Sequence, residues 1–151
     1  MESGLRTRYI TPLSEDKPFK LLNGFNGFYE FNGETMQLNM LKSKIHMATL
    51  TGTELYYQGS IAIDQDLLDA AGMLPNEQVH VLNVNNGSRL ITYTIAGERG
   101  SGIIELNGPA AHLGETGDPV VIISYAQMSE AEAAAHTPVV VHVDQKNAIK
   151  C

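Results

Sequence analysis

A chain of 151 residues with 43% hydrophobic content can bury one ordinary core and is too short for two large domains. Ten basic residues against seventeen acidic ones give a net charge of −7, which argues against a nucleic-acid or anionic-membrane surface built on clustered Lys and Arg. The one cysteine, Cys151, allows no intrachain disulfide framework or cysteine metal site; no apolar run reaches membrane-span length, and residues 1–35 lack the pattern of a signal peptide. The expectation is a soluble, cytoplasmic protein that binds neither nucleic acid nor membrane.

Residues 1–35 scatter Gly, Asn, Pro and aromatics, as in Asn23-Gly24-Phe25-Asn26-Gly27-Phe28-Tyr29, without sustained periodicity. They read as an N-terminal extension, poorly ordered or non-native, ahead of one domain over residues 36–151. Met40 to Leu50 then alternates as a strand, with Leu41, Ser43, Ile45 and Met47 on one face and Lys42, Lys44, His46 and Ala48 on the other. Asp64 to Gly72 predicts a short helix with Asp64 as N-cap, Gly72 as stop, and Leu67, Leu68 and Ala71 facing the core.

Gln78 to Asn83 and Arg89 to Ile95 alternate as two strands around the hairpin turn Asn85-Asn86-Gly87. Period two puts Arg89, Ile91, Tyr93 and Ile95 on one face and Leu90, Thr92 and Thr94 on the other, although strand curvature can bring both sets near one site. Gly102 to Leu106 predicts a further strand that ends in the polar turn Asn107-Gly108-Pro109-Ala110-Ala111-His112, whose small side chains would leave backbone amides open to a ligand. Pro119 to Ala126 reads as a buried strand, Ser129-Glu130-Ala131-Glu132 as a capping box, and Pro138 to Val143 as a closing strand. Short strands joined by tight turns, with little helix, indicate a mainly β fold, a small closed barrel.

The pair Gly59-Ser60, at the entry to the apolar run Ile61-Ala62-Ile63, offers two kinds of behaviour. It can be an ordinary turn. Alternatively, if the peptide is strained and its carbonyl oxygen meets a donor, the Ser60 hydroxyl can attack the Gly59 carbonyl and turn the amide into an ester. Elimination from that ester leaves dehydroalanine, and hydrolysis of dehydroalanine gives a pyruvoyl group and ammonia. Cleavage after residue 59 of 151 would leave pieces of 59 and 92 residues.

Set together, Met40-Leu41-Lys42-Ser43-Lys44-Ile45-His46, Tyr57-Gln58-Gly59-Ser60, Asn86-Gly87-Ser88-Arg89, Thr92-Tyr93, Glu98-Arg99-Gly100-Ser101 and Asn107 to His112 resemble L-aspartate α-decarboxylase. That family's order and spacing run from about Met36 to the closing strand. The resemblance implies a double-psi β-barrel with short helices, a homotetramer with sites between subunits, and self-cleavage between Gly59 and Ser60. It also implies a covalent pyruvoyl group from Ser60 that forms a Schiff base with L-aspartate and releases β-alanine for pantothenate and coenzyme A synthesis, with no metal.

By the same resemblance Arg89 and Lys44 anchor the substrate carboxylates, a task that suits a planar guanidinium and an ammonium. Tyr93 protonates the carbanion, Thr92 supports self-processing and substrate binding, and Asn107, Gly108, Ala110 and Ala111 line the pocket, while Tyr57 and His46 support it. Pro109 departs from the usual alanine and removes one N–H; Met47 stands where a basic residue commonly follows the histidine. A non-catalytic, unprocessed binding barrel, a maturation factor, and glutamate as substrate all stay open at this level. The five histidines show no metal-ligand spacing.

Overall fold

The computed structural model describes residues 30–31, 34–57 and 59–150, so the expectation for most of the extension, and for Gln58 and Cys151, lies outside the described residues. Within residues 1–35, Glu30–Phe31 (β1) and Glu34–Thr35 (β2) pair antiparallel. The long strand Gln37–Thr49 (β3) starts before the expected Met40 and pairs antiparallel with Pro119–Ser129 (β9). Ser43 and Ile45 are buried, with Lys42, Lys44 and His46 half-exposed, as alternation requires.

That alternation fails at the next step. The β3–β9 register slips between Ile45 and Ala48, and Met47 takes φ 59°, so Ala48 is in the core and Met47 is outside. The expected faces of these two residues are therefore reversed, because a bulge inserts one residue and shifts the period of two.

Gly52–Glu54 (β4) is too short to show a period, and it was not anticipated. Ser60–Asp64 (β5) is buried along its whole length between Arg89–Gly97 (β7), its parallel neighbour, and Ile104–Asn107 (β8), its antiparallel one. A strand covered on both edges and both faces needs an apolar run, and Ile61-Ala62-Ile63 supplies it. Helix α1, Gln65–Ala71, follows with the expected Asp64 cap, the Gly72 stop at φ 61°, and Leu67, Leu68 and Ala71 buried. Gln78–Asn83 (β6) forms the expected hairpin with β7. Gly108–Leu113 makes a 3-10 turn, Glu130–Ala135 (α2) opens on the Ser129/Glu132 capping box, and Val139–His142 (β10) pairs parallel with β3.

The hydrogen-bonded order is β10-β3-β9-β6-β7-β5-β8-β4. Only Leu50 and Thr51 join β3, near one end of that order, to β4 at the other end, so the sheet has to curl round on itself. The result is the expected mainly β fold, a small barrel with short helices. Its core is centred on Ile45, Leu50, Ile61, Ile63, Leu106 and Ile122. No helix among the described residues is long and apolar enough to cross a membrane.

Polar ties fix the barrel's irregular ends. Asn147, at φ 62° and buried, accepts from the Thr49 N–H at 2.7 Å and donates to the carbonyls of Thr49 and Gly102, both at 2.8 Å. The Asp64 carboxylate accepts the N–H groups of Asp66, Gly100 and Gly102 at 2.9, 3.0 and 2.6 Å. Those two glycine amides are thereby turned away from a ladder, which is why β8 begins at Ile104 and not at the expected Gly102. Burial acts to raise the Asp64 carboxyl, but the N–H donors of Gly102, Asp66 and Gly100, helped by nearby Arg99, hold it below the ordinary 3.8.

A depressed carboxyl stabilises the fold above its unfolded value and loses that contribution as pH falls through the folded one. Asp64→Asn sets an amide N–H₂ or a weaker acceptor against these donors, and it should cost about 1–3 kcal/mol at pH 7. In urea denaturation the gap between the two proteins should narrow below pH 3.8. A gap that is constant from neutral to acid pH contradicts this assignment.

Candidate active site

Two successive residues at the entry to β5 hold positive φ, Gly59 at 81° and Ser60 at 105°. Glycine adopts that region freely, whereas a side chain there costs about 1–3 kcal/mol, so the Gly59–Ser60 junction is strained at its serine. The Gly59 N–H donates to the Tyr57 carbonyl two residues back, at 2.8 Å, closing a tight turn before the strand.

Across the β5–β8 ladder Ser60 stands opposite Asn107, and both are buried. The Ser60 Oγ and the Asn107 Oδ1 lack hydrogen-bond partners among the described residues. Each such group costs about 1–3 kcal/mol, and two at one ladder position mark a place arranged for something other than stability. Gly108, next along, has φ 63°, and a Cβ built there would lie 2.7 Å from the Gly59 Cα, 2.9 Å from its nitrogen and 3.1 Å from the Tyr57 carbonyl oxygen. Backbone packs on backbone here, and nothing larger than glycine fits. Pro109 occupies the first turn of the 3-10 segment, where an N–H has no helical partner, so losing that donor costs the fold little; Ala110 and Ala111 are half-buried beside it.

The parallel register pairs Ile61 with Thr94, so Tyr93 runs alongside the Gly59–Ser60 peptide. Its Oη lies 4.0 Å from where a Gly59 Cβ would be. Thr92 faces the other way, half-buried and paired with Val79, and its hydroxyl makes no hydrogen bond among the described residues. Tyr57 is exposed at the rim.

The expected cations stand elsewhere. Lys44 and His46 share the outer side of β3, where the His46 ring meets the His142 ring edge to face at 5.3 Å. Burial first, then the charges of Lys44 and His142, lower the His46 pKa, and its Nδ1 is buried without a partner among the described residues. Arg89 extends its Nη1 to 3.5 Å from the His80 Nδ1, and the His80 ring in turn packs edge to face on Tyr125 at 5.0 Å.

Ladder register places Lys44, Ile123, His80 and Ile91 in one transverse row, so three strand spacings, about 14 Å, separate Lys44 from β7. Arg89 and Tyr93 share a face but are four residues apart, about 13 Å along the strand. One chain thus gathers Gly59, Ser60, Tyr93, Asn107 and Gly108, and leaves Lys44, His46 and Arg89 on the barrel's outer wall. His80 and Tyr125, the companions of Arg89, were missed at the level of sequence. Alternation marked residues 78–83 as a strand, but nothing in the spacing tied His80 to Arg89. No three His, Cys, Asp or Glu side chains among the described residues could hold a metal ion.

A family model described as aspartate decarboxylase matches residues 36–150. The chain belongs to that family. Aspartate 1-decarboxylase of Carboxydothermus hydrogenoformans is 60% identical over 114 residues, 76% of this chain and 90% of that one. The protein of the same name from Chloroherpeton thalassium is 58% identical over 112 residues, covering 74% of this chain and 82% of its own. The Neisseria meningitidis protein is 60% identical over 111 residues, at 74% and 87% coverage. Among solved structures, the computationally designed protein msDPBB_sym2 is similar at 15% identity and a TM-score of 0.36, over 59% of this chain and 99% of its own. The family-model match of this aspartate decarboxylase family member therefore spans the barrel and starts at residue 36.

The two glycines of the site should respond differently to alanine. Gly59→Ala adds strain at φ 81° but meets no atom of the described residues closer than 4.0 Å, whereas Gly108→Ala adds strain and drives a Cβ into backbone. Urea denaturation should show about 1–3 kcal/mol lost for the first and about 1–3 kcal/mol more for the second. Equal losses would contradict the packing described.

Proposed function

We propose that this protein decarboxylates L-aspartate to β-alanine and carbon dioxide through a pyruvoyl group made from its own Ser60. The observation that carries the reading is the strained Ser60, whose buried Oγ has no hydrogen-bond partner among the described residues, set against Asn107 and Gly108. Family membership and the names of the relatives support the same reaction.

In the uncleaved chain the Ser60 Oγ is free to attack the Gly59 carbonyl carbon. The C–O bond forms as the Gly59–Ser60 amide C–N bond breaks, the hydroxyl proton passing to the freed nitrogen. Elimination across the Ser60 Cα–Cβ bond expels the Gly59 carboxylate, and water then releases ammonia and leaves the ketone. Thr92 is the donor assigned to the Gly59 carbonyl oxygen, a role that requires the peptide to shift toward its face of β7. Once formed, the pyruvoyl group supplies an electrophilic carbonyl that captures an amine and accepts the electron pair left by carbon dioxide.

The chain's residues then bind and protonate. Asn107 and the amides of Gly108, Ala110 and Ala111 hold oxygen atoms at the mouth of β5. Tyr93, beside the junction, delivers the proton to the former α-carbon, directly or through water, with Tyr57 at the rim. Arg89 and Lys44 hold carboxylates, and His46 orients Lys44.

Separations of about 13–14 Å are too long for one four-carbon diacid to bridge within one barrel. The site is therefore shared: a neighbouring copy in a homotetramer brings its outer-wall cations to this chain's Ser60. β-Alanine formed in this way feeds pantothenate synthesis, and a separate maturation factor can set the rate of cleavage.

Mixed oligomers test the reading. Ser60→Ala and Arg89→Ala proteins should each lack aspartate turnover, and oligomers reassembled from both should regain a measurable share of wild-type activity, with glutamate turned over at least tenfold more slowly. Mixtures that stay inactive would contradict the shared site. Turnover by Ser60→Ala alone would contradict the pyruvoyl reading.

A further inference from the structure

Glu77 lies outside the site described above, yet its carboxylate accepts four hydrogen bonds among the described residues. Its Oε1 and Oε2 each accept from the Lys42 Nζ of β3 at 2.8 Å, Oε1 also accepts from the Ser124 hydroxyl of β9, and Oε2 accepts the Leu74 N–H at 2.9 Å. Burial alone would raise this carboxyl, but Lys42, Ser124 and the Leu74 N–H hold it below its ordinary value.

The segment that Glu77 ends grips β7 at one point. The Asn76 N–H donates to the Thr94 carbonyl at 2.8 Å, the Glu77 carbonyl accepts the Thr94 N–H at 3.0 Å, and the Thr94 hydroxyl donates to the Leu74 carbonyl at 2.6 Å. Thr94 has no exposed surface and is paired with Ile61, the residue after Ser60. The two residues that follow Glu77, Gln78 and Val79, pair with Tyr93 and Thr92. Ser124 itself pairs with both Ser43 and Val79, so Ser43, Ser124, Val79 and Thr92 form one transverse row that the Glu77 carboxylate crosses.

From this geometry we propose that Glu77 is a positioning residue for self-cleavage: through Lys42, Ser124 and Leu74 it fixes where β7 presents Thr92 and Tyr93 to the Gly59–Ser60 peptide. This rests on the reading of that peptide as self-cleaving. A shift of a fraction of an ångström in β7 moves both side chains relative to the Gly59 carbonyl, and misplacement on that scale costs reaction rate more readily than it costs folding.

The test is a cleavage time course, with the 59- and 92-residue pieces quantified by denaturing electrophoresis at a temperature well below each variant's Tm. Glu77→Gln should cleave about tenfold more slowly than wild type. Ser124→Ala, which keeps the Lys42 pair, should cleave about threefold more slowly and guards against misfolding of the first variant. Val141→Ala, a truncation in β10 within the core, should lower Tm and cleave at the wild-type rate. Wild-type cleavage rates in Glu77→Gln and Ser124→Ala overturn the proposal, as does slowing of Val141→Ala to the same degree, which would make the effect one of stability. A wild-type chain that stays whole even after prolonged warming with cell extract overturns the self-cleavage reading itself, and the role of Glu77 with it.

Discussion

Everything at the centre of this molecule depends on a backbone-to-backbone contact. Gly108 sits so close to Gly59 that a single methyl group between them would overlap two main-chain atoms. The contact presses the Gly59–Ser60 peptide against the end of β8 and leaves Ser60 no relaxed conformation as it enters a strand already held on both edges. The barrel supplies the force: β5 is buried throughout, and the apolar run after Ser60 cannot slide without exposing Ile61 and Ile63. Strain of this size persists only where the surroundings over-determine it, and the ladder from β7 through β5 to β8 does so here.

The same barrel divides the chemistry in two. Inside the ladder lie a hydroxyl and an amide oxygen that have no hydrogen-bond partner among the described residues, with the exposed Tyr93 phenol beside them, groups suited to bond-making and proton transfer. The cations that suit a dicarboxylic substrate stand on the outer wall, with Arg89 near His80 and Lys44 beside His46. A chain with a net charge of −7 that keeps these cations on one sheet face has concentrated its attraction for anions there.

Much of this was legible in the sequence because local rules and tertiary structure agree. Asp64 and Gly72 bound α1 as caps because their backbone and side-chain chemistry is local, and period two assigned Arg89, Leu90, Ile91 and Tyr93 to the correct faces. The bulge that reverses Met47 and Ala48 was not legible, because a one-residue slip against β9 is set by a strand about seventy residues away. Strand β4 was missed because three residues carry no period. At the site, Gly59-Ser60 showed what the chemistry could be, but the clash that forces Gly108 to be glycine appears only when β8 folds across β5. His80 and Glu77 escaped notice for the same reason: each acts on a partner brought to it by strand pairing, and neither lies in a motif.

The central claim is that the Gly59–Ser60 peptide is built to break and to leave a ketone behind. The most direct measurement is the intact mass of the purified wild-type protein under denaturing conditions, before and after treatment with a carbonyl-reactive hydrazine. The account predicts two chains, of 59 and 92 residues for the full sequence, with the hydrazine adduct on the 92-residue chain alone. A single chain of 151 residues that takes up no hydrazine, even after prolonged warming with cell extract, would contradict it.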